Sequence, residues 1–389
     1  MAEPLIELPF SSEEYAYRVD RVLEKMEARG LDLLLVSIPE NSYYLTGFQT
    51  GSHQTFLILA LPLKGDGSWI VRKTELSNIR SQAHLSWVKG HHGVEDSADS
   101  IEVLASVLRE MGHERSSIGI EQEGHFFNIS FYLKLKEEMP GARLLDGSNI
   151  VEELRRVKSD SELAYMRRAG EITAKALRAG LDALHEGMSD RELAGIILSK
   201  ATGEGSEIMC AGPFITSGKR TFLAHSSWTG AVINRGDIVN TEMAAVVARY
   251  NTPAFRNAVI GEPSDEVRGL FDASRAGMEA GMAGIKPGMT SGEADRVVRT
   301  AVEKTGYGEN FVVRAAYGIG LGFSPGWGEN HVMSIRPDDP RIIEPGMCFH
   351  LVPALYKEGL GAVCCSMPIE IGENGCRPLT SIEPDLFIR

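Results

Sequence analysis

Between residues 12 and 30 the apolar side chains Tyr17, Val19, Val22, Leu23 and Met26 recur at a spacing that predicts a helix. Ser11 and Ser12 stand before it as N-cap candidates, Glu13 and Glu14 supply first-turn acids, and Gly30 closes it. Leu33–Ile38 is an unbroken apolar run of strand length. Phe56–Leu61, Ser68–Val71 and Ile118–Glu121 predict further strands, and Ser100–Met111 and Phe127–Met139 predict helices. The pattern over residues 1–150 is that of an α/β domain.

At Ile150 the pattern changes. Val151–Leu184 is one long helical stretch rich in Arg, Lys, Glu and Ala, with Ser159 or Asp160 placed to cap a restart inside it. Ser189-Asp190-Arg191-Glu192 opens a second helix running to about Ala201. From Cys210 onward short strands predominate, at Gly212–Ser217, Ala231–Ile233, Ile238–Ala248 and Ala258–Ile260. Helices follow over Asp265–Ala283 and Ser291–Thr305. Roughly the last 75 residues return to short strands punctuated by Gly and Pro. The second domain spans residues 151–389, and the chain carries no repeats.

Composition narrows the partners. With a net charge of −13 and pI near 5.3, the surface repels nucleic acid and anionic membranes, so neither is an expected partner. The start of the chain, MAEPLIELPF, lacks the basic and apolar regions of a signal peptide, and no apolar run approaches the ~18 residues of a membrane span. Five scattered cysteines, Cys364 and Cys365 adjacent, fit reduced thiols and a cytoplasmic location better than a disulfide framework.

Several motifs are excluded. Tyr317–Gly322 reads YGIGLG, whose glycine spacing is not that of a dinucleotide loop. HExxH, GxSxG and P-loop signatures are absent. His91-His92 reads as a surface loop, and Asp338-Asp339 as a solvated turn. Glu242 lies in an otherwise apolar strand, where a carboxylate is costly to bury unless paired. A salt bridge to Arg249 or Arg256 is the structural alternative to a functional role.

Beyond these local readings, ordered segments carry a family resemblance. They are ELRRVKSDSEL at the entry to the second domain, AHSSWT around His225, the Arg235-Gly236-Asp237 turn, YGIGLG, and EPGMCFHLVP over Glu344–Pro353. In this order and spacing they resemble the pita-bread hydrolases, the superfamily of methionine aminopeptidase, prolidase and creatinase. The resemblance implies an α/β N-terminal domain followed by an α+β pita-bread domain. It also implies a homodimer in which the loop Gln49–Thr55, with His53, reaches the partner's site.

Metal-dependent members of that superfamily hold two divalent ions with two Asp, one His and two Glu. Here the corresponding positions fall at Glu242, Pro253, Tyr317, Val352 and Cys364 or Cys365. A single hard ligand remains, so the resemblance points to the metal-free branch, with no cofactor. The runs TEMAAVVARYNTPAFRN and YGIGLGFSPGWGE, followed by Phe349-His350, are similar to ectoine hydrolases. The last strand, Val363-Cys364-Cys365-Ser366, lacks the acid of that group.

What the resemblance implies is hydrolysis of a C–N bond in a small amidine, guanidino or amide substrate. His225 would be the general acid–base and Glu242 the substrate-holding or nucleophilic carboxylate. Tyr317, Tyr250, Trp327, Phe349 and His53 would line the substrate site. A prolidase-like Xaa-Pro peptidase and a non-catalytic binding protein are the alternatives.

Overall fold

The computed structural model describes residues 7–82 and 87–389. The first six positions of the stretch examined for a leader therefore lie outside the described residues. The chain separates into two compact units, Met1–Arg155 and Arg156–Arg389.

The first unit runs α1 (Ser12–Ala28), β1 (Leu33–Val36), α2 (Pro39–Thr46), β2 (Leu57–Pro62), β3 (Gly67–Arg72), α3 (Leu76–Gln82), β4 (Val88–Val94), α4 (Ser100–Glu110), β5 (Ser117–Ile120), α5 (Ile129–Glu138), β6 (Arg143–Asp146) and α6 (Glu152–Arg155). Its sheet has the order β4-β3-β2-β1-β5-β6, with β1 antiparallel to β2 and parallel to β5. Ser11 caps α1 by accepting from the Glu14 amide at 3.2 Å. The buried stripe of α1 is Tyr15, Val19, Val22 and Met26. Tyr17, two residues or about 200° round the helix from Tyr15, is 65% exposed instead of inward.

His91 and His92 depart from the expected loop. They sit on β4, in parallel register with Trp69 and Ile70. An edge strand pairs through its backbone on one side and can do so without an apolar run, which is why the pattern missed it. Buried in this unit, Glu121 accepts from the Ser37 and Ile38 amides at 2.6 and 2.7 Å and from Asn41 at 2.7 Å. Burial, and then the neighbouring Glu152 carboxylate, push the Glu121 carboxyl up to about 8.

The second unit begins with α7 (Asp160–Ala183). Ser159 forms a capping box with Glu162, so the helical stretch predicted from Val151 is broken before it restarts. Then come α8 (Asp190–Gly203), β7 (Phe214–Ser217), β8 (Ile238–Val247), β9 (Tyr250–Val259), α9 (Asp265–Gly284), α10 (Ser291–Glu303), β10 (Ala316–Gly318), β11 (Ser334–Ile335), β12 (Cys348–Leu351), β13 (Leu355–Lys357), β14 (Gly361–Val363), β15 (Met367–Gly372), β16 (Gly375–Pro378) and β17 (Leu386–Ile388). The sheets are β17-β9-β8-β7, β11-β10-β12-β15-β16 and the pair β13-β14.

Alternation along β8 divides the unit. Val239, Met243 and Ala245 enter the core made with Leu177, Leu181, Leu193 and Ile197 of α7 and α8. Ala244 and Val246 face the other way, with Cys210 and Trp327. A second core packs α9 and α10 under β10, β12 and β15.

β9 starts at Tyr250, eight residues earlier than the pattern predicted. Its hairpin turn from β8 uses Ala248 and Arg249, with φ of 48° and 62°, conformations that normally call for Asn or Gly. Glu207 holds them there, accepting from the Ala248 amide at 2.6 Å and the Arg249 amide at 3.3 Å. Pro253 lies opposite Ala244, short of the Asn257–Val259 stretch where β17 pairs, so its missing N–H interrupts no second ladder. Among the described residues no helix is long and apolar enough to cross a membrane.

Candidate active site

A cleft of ≈ 670 Å³ opens on the face of β8 opposite the one packed against α7 and α8. Asn240 and Glu242 of β8, Phe214 of β7 and Phe255 of β9 line it, with Tyr317, Trp327, Arg314, Arg336, Val352, Val363 and His225. The register makes Phe214, Glu242 and Phe255 direct cross-strand neighbours. Glu242 therefore stands in a row between two phenyl groups, its side chain only 13% exposed. Burial pushes its carboxyl up to about 8, against the smaller lowering effect of a hydrogen bond from Tyr317.

His225 reaches the cleft from a loop clamped at several points. Asp190, at the start of α8, accepts from Arg220 at 2.8 Å and from the Thr229 and Gly230 amides at 3.1 and 2.7 Å. Thr221 accepts from the Ala362 amide at 3.1 Å. This contact needs glycine next door: a Cβ on Gly361, at φ +134°, would stand 2.2 Å from Thr221 Oγ1. His225 itself adopts a φ of 56°, a left-handed conformation uncommon outside glycine and often found at functional sites. Its ring meets Phe214 edge-on at 6.0 Å, and Phe214 packs on Trp327 at 5.2 Å.

Tyr317 is the hub of the opposite wall. Its hydroxyl accepts from Trp327 Nε1 at 2.9 Å and lies 2.8 Å from His350 Nδ1. His350 Nε2 lies 2.7 Å from Ser366 Oγ, and Ser366 Oγ accepts from the Phe255 amide at 2.9 Å. Burial, and then the nearby Arg256 guanidinium, hold His350 down to about 3, so it is neutral. Tyr317 is raised well above its ordinary value, by burial and then by Glu242. Arg314 lies with its guanidinium carbon 5.3 Å from the Tyr317 ring centroid. Among the described residues no acidic side chain pairs with it.

The structure thus brings His225, Glu242, Tyr317 and Trp327 together on one cleft. Tyr250 and Phe349 do not line it. The Tyr250 hydroxyl donates to Glu162 at 2.6 Å, and the ring stacks on Tyr165. Phe349 is fully buried in the core beneath α9 and α10. It neighbours His350 on β12, where successive side chains point to opposite faces, so the motif was read one residue out of phase. His53 belongs to the other unit, where it meets Phe126 edge-on at 6.3 Å.

The salt-bridge alternative for Glu242 fails. Arg249 bonds the carbonyls of Ile208 and Gly322, and Arg256 bonds those of Ile382, Glu383 and Ser366. The Asp338-Asp339 turn is also half wrong. Asp339 is buried, and hydrogen bonds from Arg341 pull it down to about 2. Sequence reasoning missed His350, Ser366 and Arg314. For His350 the signals were its place in the Phe349-His350 pair that carries the family resemblance and a histidine inside the apolar run CFHLV.

The metal pair of the metal-dependent members requires several hard ligands gathered at one site. Glu242 supplies one carboxylate, and Tyr317 and Val352 stand beside it. Pro253 has no ligand atom, and the Cys364 thiol is raised well above its ordinary value by burial, disfavouring the thiolate that would bind a metal. Both His350 nitrogens are engaged by Tyr317 and Ser366. Among the described residues no three His, Cys, Asp or Glu side chains gather into a metal-holding group. These residues do not fit a pair of divalent ions.

Comparison with known proteins accords with the fold. The model of the creatinase/prolidase N-terminal domain matches residues 18–157. An ectoine hydrolase of Halomonas elongata is 29% identical over 399 residues, covering 99% of both chains. A Lactobacillus helveticus Xaa-Pro dipeptidase is 26% identical, covering 95% of this chain and 98% of its own. Among solved structures, an Xaa-Pro dipeptidase from Bacillus anthracis superposes with a TM-score of 0.83 at 25% identity, covering 96% of this chain and 100% of that one. The metallopeptidase family M24 model matches residues 164–375, more than half of the sequence, and the chain belongs to that family.

Proposed function

We propose that this protein is a metal-independent hydrolase of a C–N bond in a small amidine-type substrate. The observation that carries the reading is the site's composition. A partly desolvated carboxyl, a histidine and a tyrosine share one cleft, while the positions that would hold metals carry Pro253, Val352 and Cys364. Hydrolysis without a metal requires a carbon that is already electrophilic, as in an amidinium. The similarity to a protein named ectoine hydrolase points the same way.

In this mechanism Glu242, as carboxylate, pairs with the substrate cation through charge-assisted hydrogen bonds. His225 removes a proton as water oxygen bonds to the amidinium carbon, then returns that proton to the departing nitrogen. Tyr317 donates to Glu242 or to the added oxygen. Water adds across the carbon, one C–N bond breaks, and an amide and an amine result. Arg314 and Arg336 supply cations suited to a negative group elsewhere on the substrate. The substrate is thus a small molecule, and the homodimer implied by the sequence resemblance is part of the proposal.

A prolidase-like reading draws support from the related Xaa-Pro dipeptidases. It calls for a metal pair that this donor set does not match. The test of the preferred reading is turnover of cyclic amidines, beginning with ectoine, by wild type, His225→Ala and Glu242→Gln. Each substitution should reduce kcat about 10²-fold or more; full turnover in both variants would overturn it.

A further inference from the structure

Tyr317 has one proton to donate and a hydroxyl oxygen able to accept two hydrogen bonds. Which partners receive and which give depends on the His350 tautomer, and the relative lengths of the surrounding bonds favour one assignment. Ser366 Oγ accepts the Phe255 amide at 2.9 Å. Its own proton has two acceptors within reach, His350 Nε2 at 2.7 Å and the Phe255 carbonyl at 3.4 Å. The carbonyl is the longer contact and already accepts from Arg256 Nη1 at 2.6 Å. Ser366 therefore donates to His350 Nε2.

A neutral imidazole that accepts at Nε2 must carry its proton on Nδ1. Nδ1 then donates to the Tyr317 oxygen at 2.8 Å, and Trp327 Nε1 donates to the same oxygen at 2.9 Å. With both lone pairs taken, the Tyr317 proton is left to point into the cleft, whose lining includes Glu242.

We propose that His350, set by Ser366, is a positioning residue that makes Tyr317 a one-way hydrogen-bond donor into the cleft. The chain runs from the Phe255 amide through Ser366 and His350 to Tyr317, every donor aimed the same way, toward the cleft that Glu242 also lines. A preorganised donor of this kind costs no reorganisation when charge shifts during the reaction. The catalytic value of the arrangement rests on the hydrolytic reading above, but the tautomer does not.

The direct test is ¹⁵N NMR of ring-labelled histidine in the intact protein, with the His350 signals assigned by their loss in His350→Gln. The expected result is a neutral ring protonated on Nδ1, and loss of that preference in Ser366→Ala. A ring protonated on Nε2 in wild type, or one unchanged by Ser366→Ala, would overturn the proposal.

Kinetics with ectoine as the probe add a second arm. His350→Phe should lower kcat about 10-fold with KM little changed, and His350→Gln, whose amide can still donate, should recover part of the loss. In a Tyr317→Phe background His350→Phe should cost nothing further; additive losses would contradict the positioning role. Should His350→Phe fail to fold, Ser366→Ala carries the same comparison. If ectoine is not turned over while the Nδ1 tautomer holds, the amidine reading fails and the positioning stands. The reverse result condemns the positioning alone.

Discussion

A carboxylate oxygen of Glu242 lies 3.8 Å from Nδ1 of His350, yet the two do not form an ion pair. Burial and the Arg256 guanidinium keep the imidazole neutral, while burial between Phe214 and Phe255 favours the protonated carboxyl. Glu242 is raised to about 8, so in the empty cleft it is mostly protonated at neutral pH. The proposed mechanism uses the carboxylate. Accordingly kcat/KM should rise with pH and level off above about 8, because that parameter reports ionisation in the free enzyme. A pH–rate profile checks this; a flat profile from pH 6 to about 9 would contradict it.

The same ionisation is linked to stability. Glu121 and Glu242 both have folded-state values raised above the ordinary carboxylate. Below about 4.5 both states are protonated and the stabilisation is fully present; as pH rises through about 8 it is lost, because the unfolded chain releases these protons first. Glu121→Gln should flatten the decline in stability between those values, by at most about 1.4 kcal/mol per pH unit. Urea unfolding across the range measures it, and an unchanged slope would rule out Glu121 as a contributor.

Arg314 stands in the cleft wall over Tyr317 without an acidic partner among the described residues. Calorimetry on two cyclic amidines, alike except that one bears a carboxylate, should show the acid binding more tightly. Arg314→Gln should shrink that preference about 10-fold or more. An undiminished preference in the variant would assign the anion contact elsewhere, with Arg336 the next residue to test.

Much of this architecture was legible before the structure. The caps at Ser11, Ser159 and Ser189 mark helix starts because a side-chain oxygen meeting an amide is a local event. The cleft-lining His225, Glu242, Tyr317 and Trp327 could be picked out because ordered motifs carry them. What escaped depends on contacts remote in sequence. The Ala248-Arg249 turn is held by Glu207, and no local composition announces it. His350 acquires its place from a β10–β12 register that pairs it with Tyr317, which no one-dimensional pattern encodes. Tyr250 was misassigned for the same reason: its partner Glu162 lies 88 positions away.

The central claim is that this member of an M24 fold cleaves its substrate without a metal. The most direct measurement is turnover of ectoine and of an Xaa-Pro dipeptide by protein stripped with chelator, its metal content verified by mass spectrometry. The account predicts that the stripped protein hydrolyses the amidine at the untreated rate and leaves the dipeptide intact. Hydrolysis of the dipeptide alone, abolished by chelator and restored by a divalent metal, would contradict it.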